Sequence, residues 1–317
     1  MKISVIVPAF NEEESIRLLH SRVSDILTKD GMINGYTFEL LFINDGSRDN
    51  TLDEIKQAAK DERVKYISFS RNFGKEAAML AGLSYATGDC CLIMDSDLQH
   101  PPELIPMMIE QSKAGFDQVI AKRTRTGEDK RRTRLTQWYY RIVNHLIDVK
   151  LEDGVGDFRL LSRKAVNALL SMNEYTRFSK GLFSWIGFKS TIIEYENVQR
   201  EQGVTKWNPS ALFRYAIDGI MSFNDRPLRI SVYFGFFVMT LGLIYIIYSL
   251  IRVMVVGIES PGYFTLIFAI LFMGGVILIS IGILGEYLGK IYYEVKRRPH
   301  FLVQETNIKG EGINNGK

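Results

Sequence analysis

Cysteine is nearly absent: two occur in 317 residues, and they are neighbours, Cys90 and Cys91. Adjacent residues rarely share a disulfide, and no C-x-x-C pair offers a zinc site, so these thiols read as packing groups in a reducing compartment. Histidine is scarce as well. His20, His100, His145 and His300 have no second ligand at helical spacing, and none is assigned a chemical role. Neither sign of charge dominates, and a net +3 is too small to mark nucleic-acid binding. No G-x-G-x-x-G follows the first apolar run and no P-loop glycines occur, which excludes the common nicotinamide and P-loop nucleotide sites. The opening "MKISVIVPAFNEEE" has an apolar run of about five residues, shorter than a secretory signal needs. The first 225 or so residues are therefore expected to stay in the cytoplasm.

Charge is missing altogether from residues 230–251 and 263–285. As helices, each is long enough to cross ~30 Å of hydrocarbon, and neither shows the polar face of a soluble core helix. Two transmembrane helices are expected. Arg226 and Arg229 precede the first, Lys290, Lys296, Arg297 and Arg298 follow the second, and residues 252–262 make a short connection. The positive-inside rule then puts both termini in the cytoplasm, making a multi-pass protein of the cell membrane. Gly274, Gly275, Gly282 and Gly285 would let the spans pack closely with another copy, so a homo-oligomer is expected. The tail after Glu305, "TNIKGEGINNGK", has few apolar residues and is expected to be disordered.

What is present is a rhythm. Short runs rich in Val, Ile and Phe, "ISVIVP" (3–8), "FELLFIND" (38–45), "VKYISFS" (64–70), "CCLIMD" (90–95) and "DQVIAK" (117–122), alternate with segments of helical period. That alternation predicts an α/β fold, a Rossmann-like, mostly parallel sheet covered on both faces. Asn11 before three glutamates, Gly88, and Pro101 with Pro102 read as helix boundaries.

Ligands of such sheets bind beyond the carboxyl ends of the strands. The residues found there are Phe10, Asn11 and Glu12, then Asn44, Asp45, Gly46 and Ser47, then Arg71 and Asn72, then Asp95, Ser96 and Asp97, and finally Lys122 and Arg123. This mixture of acids and bases suits a nucleotide carrying phosphates and a metal. Residues i and i+2 of an extended chain point the same way, so Asp95 and Asp97 can face one oxygen-seeking divalent cation. Asp-x-Asp also occurs in ordinary solvated turns, and its place at a strand end is what favours the cation. Asp45, in "INDGS", is suited to a turn or to hydrogen bonds from a nucleobase or ribose. Asp157, in "GVGDFRLLSR", is either a salt-bridge partner of Arg159 or a site acid approached by glycines, and Ser162 can cap the next helix.

The run "KRTRTGEDKRRTR" (122–134) holds seven bases against two acids and leads into residues 135–151, where Trp138, Ile142, Leu146 and Val149 recur at helical spacing. This basic amphipathic helix, near 130–150, and a second at 208–229 are expected to lie on the membrane surface rather than pack on the soluble domain. Arg200 and Lys206 sit just before the second and are suited either to an anionic substrate headgroup or to anionic lipid alone. The expected organisation is a cytoplasmic domain at 1–207, an interface helix at 208–229, a helical hairpin at 230–285, and a basic segment and tail at 286–317.

"VIVPAFNEEE", "FINDGSRDNT", "SRNFGKEAAMLAGLSYATGD", "MDSDLQHPPE" and "GDFRLLSR", followed by two apolar spans, resemble the polyprenyl-phosphate glycosyltransferases of glycosyltransferase family 2. The likeness is to the bactoprenol (undecaprenyl-phosphate) glucosyltransferases, with dolichyl-phosphate mannose synthases as cousins, and it covers residues 2 to about 298. Phe10 stands where tyrosine is common, and Ser96 where alanine is frequent. The resemblance implies a glycosyltransferase A-type domain in which Pro8, Phe10, Glu12 and Asp45 hold the nucleoside, with Arg71, Lys75, Ser96 and Arg123 also on the donor side. It implies Asp95, Asp97 and Gln99 for Mg2+ or Mn2+ and the diphosphate, Asp157 as the catalytic base with Arg159 as its catalytic partner, Asp157 either removing the residual acceptor proton or orienting Arg159, and Arg200 with Lys206 for the acceptor phosphate. The implied reaction is metal-dependent, inverting transfer of a hexose, glucose from UDP-glucose, to polyprenyl phosphate on the cytoplasmic face, supplying cell-envelope glycan. Two alternatives stand beside it. A processive polysaccharide synthase would need more spans and a Gln-x-x-Arg-Trp motif, where this chain has "REQGVTKW". A non-catalytic membrane partner of other synthases would not need Asp95, Asp97 and Asp157 intact.

Overall fold

A computed structural model describes residues 1–124, 144, 154–196, 226–257 and 262–308. Strands β1 (Lys2–Ala9), β2 (Thr37–Asn44), β3 (Val64–Phe69), β4 (Cys90–Ile93) and β5 (Gln118–Arg123) alternate with helices α1 (Ile16–Asn34), α2 (Thr51–Ala58), α3 (Lys75–Tyr85) and α4 (Ile105–Lys113). Beyond the five expected strands come β6 (Val155–Ser162), α5 (Arg163–Leu170), α6 (Ser179–Trp185), β7 (Ser190–Tyr195), α7 (Arg226–Val256), α8 (Tyr263–Lys296) and β8 (Val303–Thr306). Among the described residues the strands form one sheet in the order β7-β5-β6-β4-β1-β2-β3-β8, parallel except where β6 meets β4 and β5 and where β8 meets β3.

Side-chain alternation in the strands divides the core in two. Ile3, Val5 and Val7 of β1 pack with α1, α2 and α4, while Ile6 packs with α3, α5 and α6 on the other face. A strand covered on both faces can be apolar throughout, and every residue of β1 after Lys2 is buried. Gly82 lets α3 lie flat on β1, since a Cβ there would come within 2.1 Å of Ile6 Cγ2. Ser162 caps α5 as expected, accepting from Ala165 N. The acids after Asn11 do not open α1. Asn11 takes a left-handed φ of 54°, its side chain accepts from Arg48 N, and the helix begins after Ser15.

The helices α7 and α8 touch each other and expose their apolar side chains, with Phe236 at 60% and Leu278 at 71%. Residues 228–249 and 265–296 are long and apolar enough to cross a membrane. Both helices overrun the expected limits. The first begins at Arg226, inside the expected interface helix, and the second continues past residue 285 to Lys296. The rest of the two surface-helix segments, apart from Asn144, lies outside the described residues, as do Arg200 and Lys206.

The expectation of a disordered tail is corrected for residues 306–308. After α8 the chain returns to the soluble domain, where Phe301 is fully buried and stacks on Phe69 with centroids 5.0 Å apart. β8 then closes the sheet edge on β3. Thr306 Oγ1 donates to Tyr66 O, Asn307 Oδ1 accepts from Tyr66 N, and Asn307 Nδ2 donates to Val64 O. An edge strand presents backbone groups that need partners, so polar side chains can be ordered there without an apolar run.

Candidate active site

The parallel strands end on one rim, where Pro8, Phe10, Glu12, Asp45, Lys75, Asp95, Ser96 and Asp97 line a cleft of about 270 Å³ together with Asn72 and Gly74. β1, β2, β3 and β4 deliver these residues through the segments that follow their carboxyl ends, as expected of an open α/β sheet.

Asp45 ties two of those loops together. Its carboxylate accepts from Phe73 N at 2.6 Å and from Gly74 N at 2.9 Å, which fixes the turn that starts α3. Burial pushes its pKa up to about 6, against the pull of those two N–H groups and of Arg71. Gly46 is required beside it, because at φ 63° a Cβ would sit 2.3 Å from the Arg71 carbonyl carbon. Arg71 itself is exposed and stacks over Phe73, 4.0 Å from the ring centroid.

Asp95 and Asp97 both line the cleft, for a reason other than strand alternation. β4 stops at Ile93, and Asp97 lies in a turn in which Leu98 takes a left-handed φ of 57°. Such a φ is rare for a bulky residue and marks a turn held by its surroundings. Asp97 Oδ1 accepts from Gln99 N, and His100 Nδ1 accepts from Asp95 N at 3.1 Å. His100 is buried and stacked on Phe158 with centroids 4.8 Å apart. Burial lowers its pKa, which fits a neutral ring accepting at Nδ1.

Asp157 reaches the rim because β6 runs antiparallel to β4, so its beginning lies where β4 ends. The register pairs Ile93 with Arg159, which sets Asp95 and Asp157 across from each other two positions further on. Between them lies Lys75, the first residue of α3, with Nζ 2.6 Å from Asp95 Oδ1 and 2.6 Å from Asp157 Oδ2. Burial opposes the charge of Lys75, but the two carboxylates outweigh it and hold its pKa above the ordinary lysine value. Burial likewise opposes ionised Asp157. Lys75, Lys180 and Arg159 outweigh it, and the carboxyl stays well below the usual range. Arg159 is buried, donates to Gly156 O and lies over Phe183. Arg123 ends β5 opposite Tyr195, whose pKa is raised by burial, opposed by Arg123 and aided by Asp95 and Asp97.

Four of these contacts were not foreseen: Lys75 between two carboxylates, His100 behind Asp95, Tyr195 near both aspartates, and Glu76 accepting from Ser179 N and Oγ at the start of α6. Lys75, Tyr195 and Glu76 meet residues far away in sequence, and His100 meets Asp95 only because the loop after β4 folds back on itself, so local pattern carries little information on any of them.

The donor set fits a divalent ion shared with a ligand. Asp95 and Asp97 supply hard carboxylate oxygens to one cleft. Among the described residues no group of three or more His, Cys, Asp or Glu could hold a metal ion. Two carboxylates completed by phosphate oxygens and water is the ordinary environment of Mg2+.

The fold and rim are those of a glycosyltransferase A-type, Rossmann-like domain carrying two C-terminal apolar helices. The chain belongs to glycosyl transferase family 2: residues 4–170 match that family, and residues 226–291 match the GtrB C-terminal hairpin. CsbB of Bacillus subtilis (strain 168) is 52% identical over 312 residues, covering 98% of this chain and 94% of that one. The SfII prophage-derived bactoprenol glucosyl transferase of Shigella flexneri is 43% identical over 309 residues, covering 97% and 99%. Among solved structures, the mannosyltransferase PcManGT of Pyrobaculum calidifontis, in complex with GDP-Man and Mn2+, matches 92% of this chain and 84% of that one at 13% identity and a TM-score of 0.49.

Proposed function

We propose that this glycosyltransferase moves a hexose, glucose from UDP-glucose, onto the phosphate of a polyprenyl phosphate at the cytoplasmic face of the cell membrane. The observation that carries the reading is one chain joining an acid-lined strand-end cleft to two exposed apolar helices. A soluble sugar nucleotide alone would need only the cleft; a lipid acceptor accounts for the hairpin. The identity to a bactoprenol glucosyl transferase over nearly the full length supports both the sugar and the acceptor.

In this reading Pro8, Phe10, Glu12 and Asp45 shape the nucleoside end of the cleft. Phe10 can stack near a base but, lacking a hydroxyl, donates no hydrogen bond. Asp95 and Asp97, with Gln99 beside them, would hold Mg2+ or Mn2+, which when bound would supply Lewis-acid neutralisation of charge on the departing diphosphate. Arg71, Ser96 and Arg123 act on the same phosphates from the rim. The acceptor is a phosphate monoester with a second pKa of about 6, so it arrives largely ionised and needs no strong base. Asp157, held ionised by Lys75, serves to fix the cationic side of the site, with Arg159 behind it. Attack from the face opposite the leaving group inverts the anomeric carbon. Arg200 and Lys206 receive the acceptor phosphate on the membrane side.

The test incubates purified full-length protein, Mg2+ or Mn2+ and undecaprenyl phosphate with a panel of labelled nucleotide sugars. Label is expected in the organic phase with UDP-glucose above the other donors. Equal labelling without added lipid phosphate, or none with any donor, overturns the proposal.

A further inference from the structure

We propose that the Lys75 ammonium is a built-in stand-in for the divalent cation, holding Asp95 and Asp157 together while no metal is bound and competing with the metal for Asp95. This rests on the metal reading of the cleft. Lys75 bridges one oxygen of each carboxylate at 2.6 Å, and the β4–β6 register faces those carboxylates toward each other. Its place in the chain is unfavourable on local grounds. It is the first residue of α3, where the helix dipole presents positive charge and a cation is repelled. A local rule broken at a site is offset by what surrounds it, and here two carboxylates do so. The loop is also fixed for the purpose, because Asp45 binds the N–H groups of Phe73 and Gly74 immediately before Lys75.

Asp95 and Asp97 line the cleft and Asp157 lies beside it across Lys75, so three carboxylates that repel one another share one rim and favour a countercharge among them. Lys75 supplies it before the metal arrives. A divalent ion sharing Asp95 repels the ammonium, so entry of one weakens the hold of the other.

The test is a titration of full-length, detergent-solubilised protein with Mn2+ alone, free ion being read by electron paramagnetic resonance, in wild type, Lys75→Met, Lys75→Gln and Lys75→Arg. Removing the competing charge is expected to tighten Mn2+ binding about tenfold in Lys75→Met and Lys75→Gln, with Lys75→Arg remaining near wild type. Metal-free Lys75→Gln should also melt below wild type, and saturating Mn2+ should narrow that gap. Unchanged or weaker Mn2+ binding in the two neutral variants overturns the proposal alone. Absence of Mn2+ binding in every protein, including wild type with UDP added, overturns the metal reading and this proposal with it.

Discussion

At Asp157 two roles compete, proton acceptor and holder of Lys75, and they predict different pH behaviour. A carboxyl held well below its ordinary range stays ionised across the working pH and is a poor proton acceptor. Asp157→Asn is therefore expected to lower kcat roughly a hundredfold, by loosening a preorganised charge, while the shape of the pH profile stays that of wild type. A limb present in wild type and absent from Asp157→Asn would restore the base. Glu76 behaves in the opposite sense. Burial, with Asp157 adding to it, pushes its carboxyl up to about 7, against Ser179 and Arg177. The folded state thus holds this proton more tightly than the unfolded chain. Its contribution to stability is fully present below the ordinary value of 4.5 and is lost as pH rises through about 7. Urea unfolding should show Glu76→Gln gaining on wild type between pH 5 and pH 8, and parallel curves would contradict this. Asp45, Asp95 and Asp97 were legible because they follow apolar runs that end. His100, Tyr195 and the Lys75 bridge were not, since each depends on a contact set by register or loop closure.

Among the elements, the parallel strands announce themselves because burial on both faces makes them continuously apolar. β6 was hidden by Gly156, Asp157 and Arg159, residues that belong to the site rather than to strand propensity. β7 alternates between exposed and half-buried positions, and β8, "VQET", is a polar edge whose partner lies far back in the chain. Phe301, two residues before β8, is fully buried beside Phe69, and Val303 of the strand packs only partly against the same core. Phe301→Ala should cost about 3–5 kcal/mol in denaturant unfolding of the soluble domain, the usual range for a buried aromatic. A loss below ~1 kcal/mol would show that the returning segment is not part of the cooperative unit.

For the molecule as a whole, the hairpin was legible from the absence of charge, but the return of the chain to the sheet was not. Tyr175 N donates to Glu294 Oε1, and the Tyr175 ring stacks on Tyr293 and on His300, so the end of α8 is fastened to the soluble domain. The C-terminal end of the helical hairpin is thus held to the sheet domain twice, through Tyr175 and through β8 on β3. A chain truncated before Arg226 loses β8 and Phe301 with the hairpin. A chain in which a short linker replaces residues 226–296 but keeps 297–308 should melt higher than the truncation, and equal melting would contradict this role of the returning segment.

The most direct measurement is mass spectrometry of the lipid formed when purified wild type and Asp97→Ala protein are each given UDP-glucose, Mn2+ and undecaprenyl phosphate. The expected result is an undecaprenyl phosphate heavier by one hexose with wild type, and at least a hundredfold less of it with Asp97→Ala. No hexosylated lipid from wild type, or equal amounts from both proteins, would contradict the account.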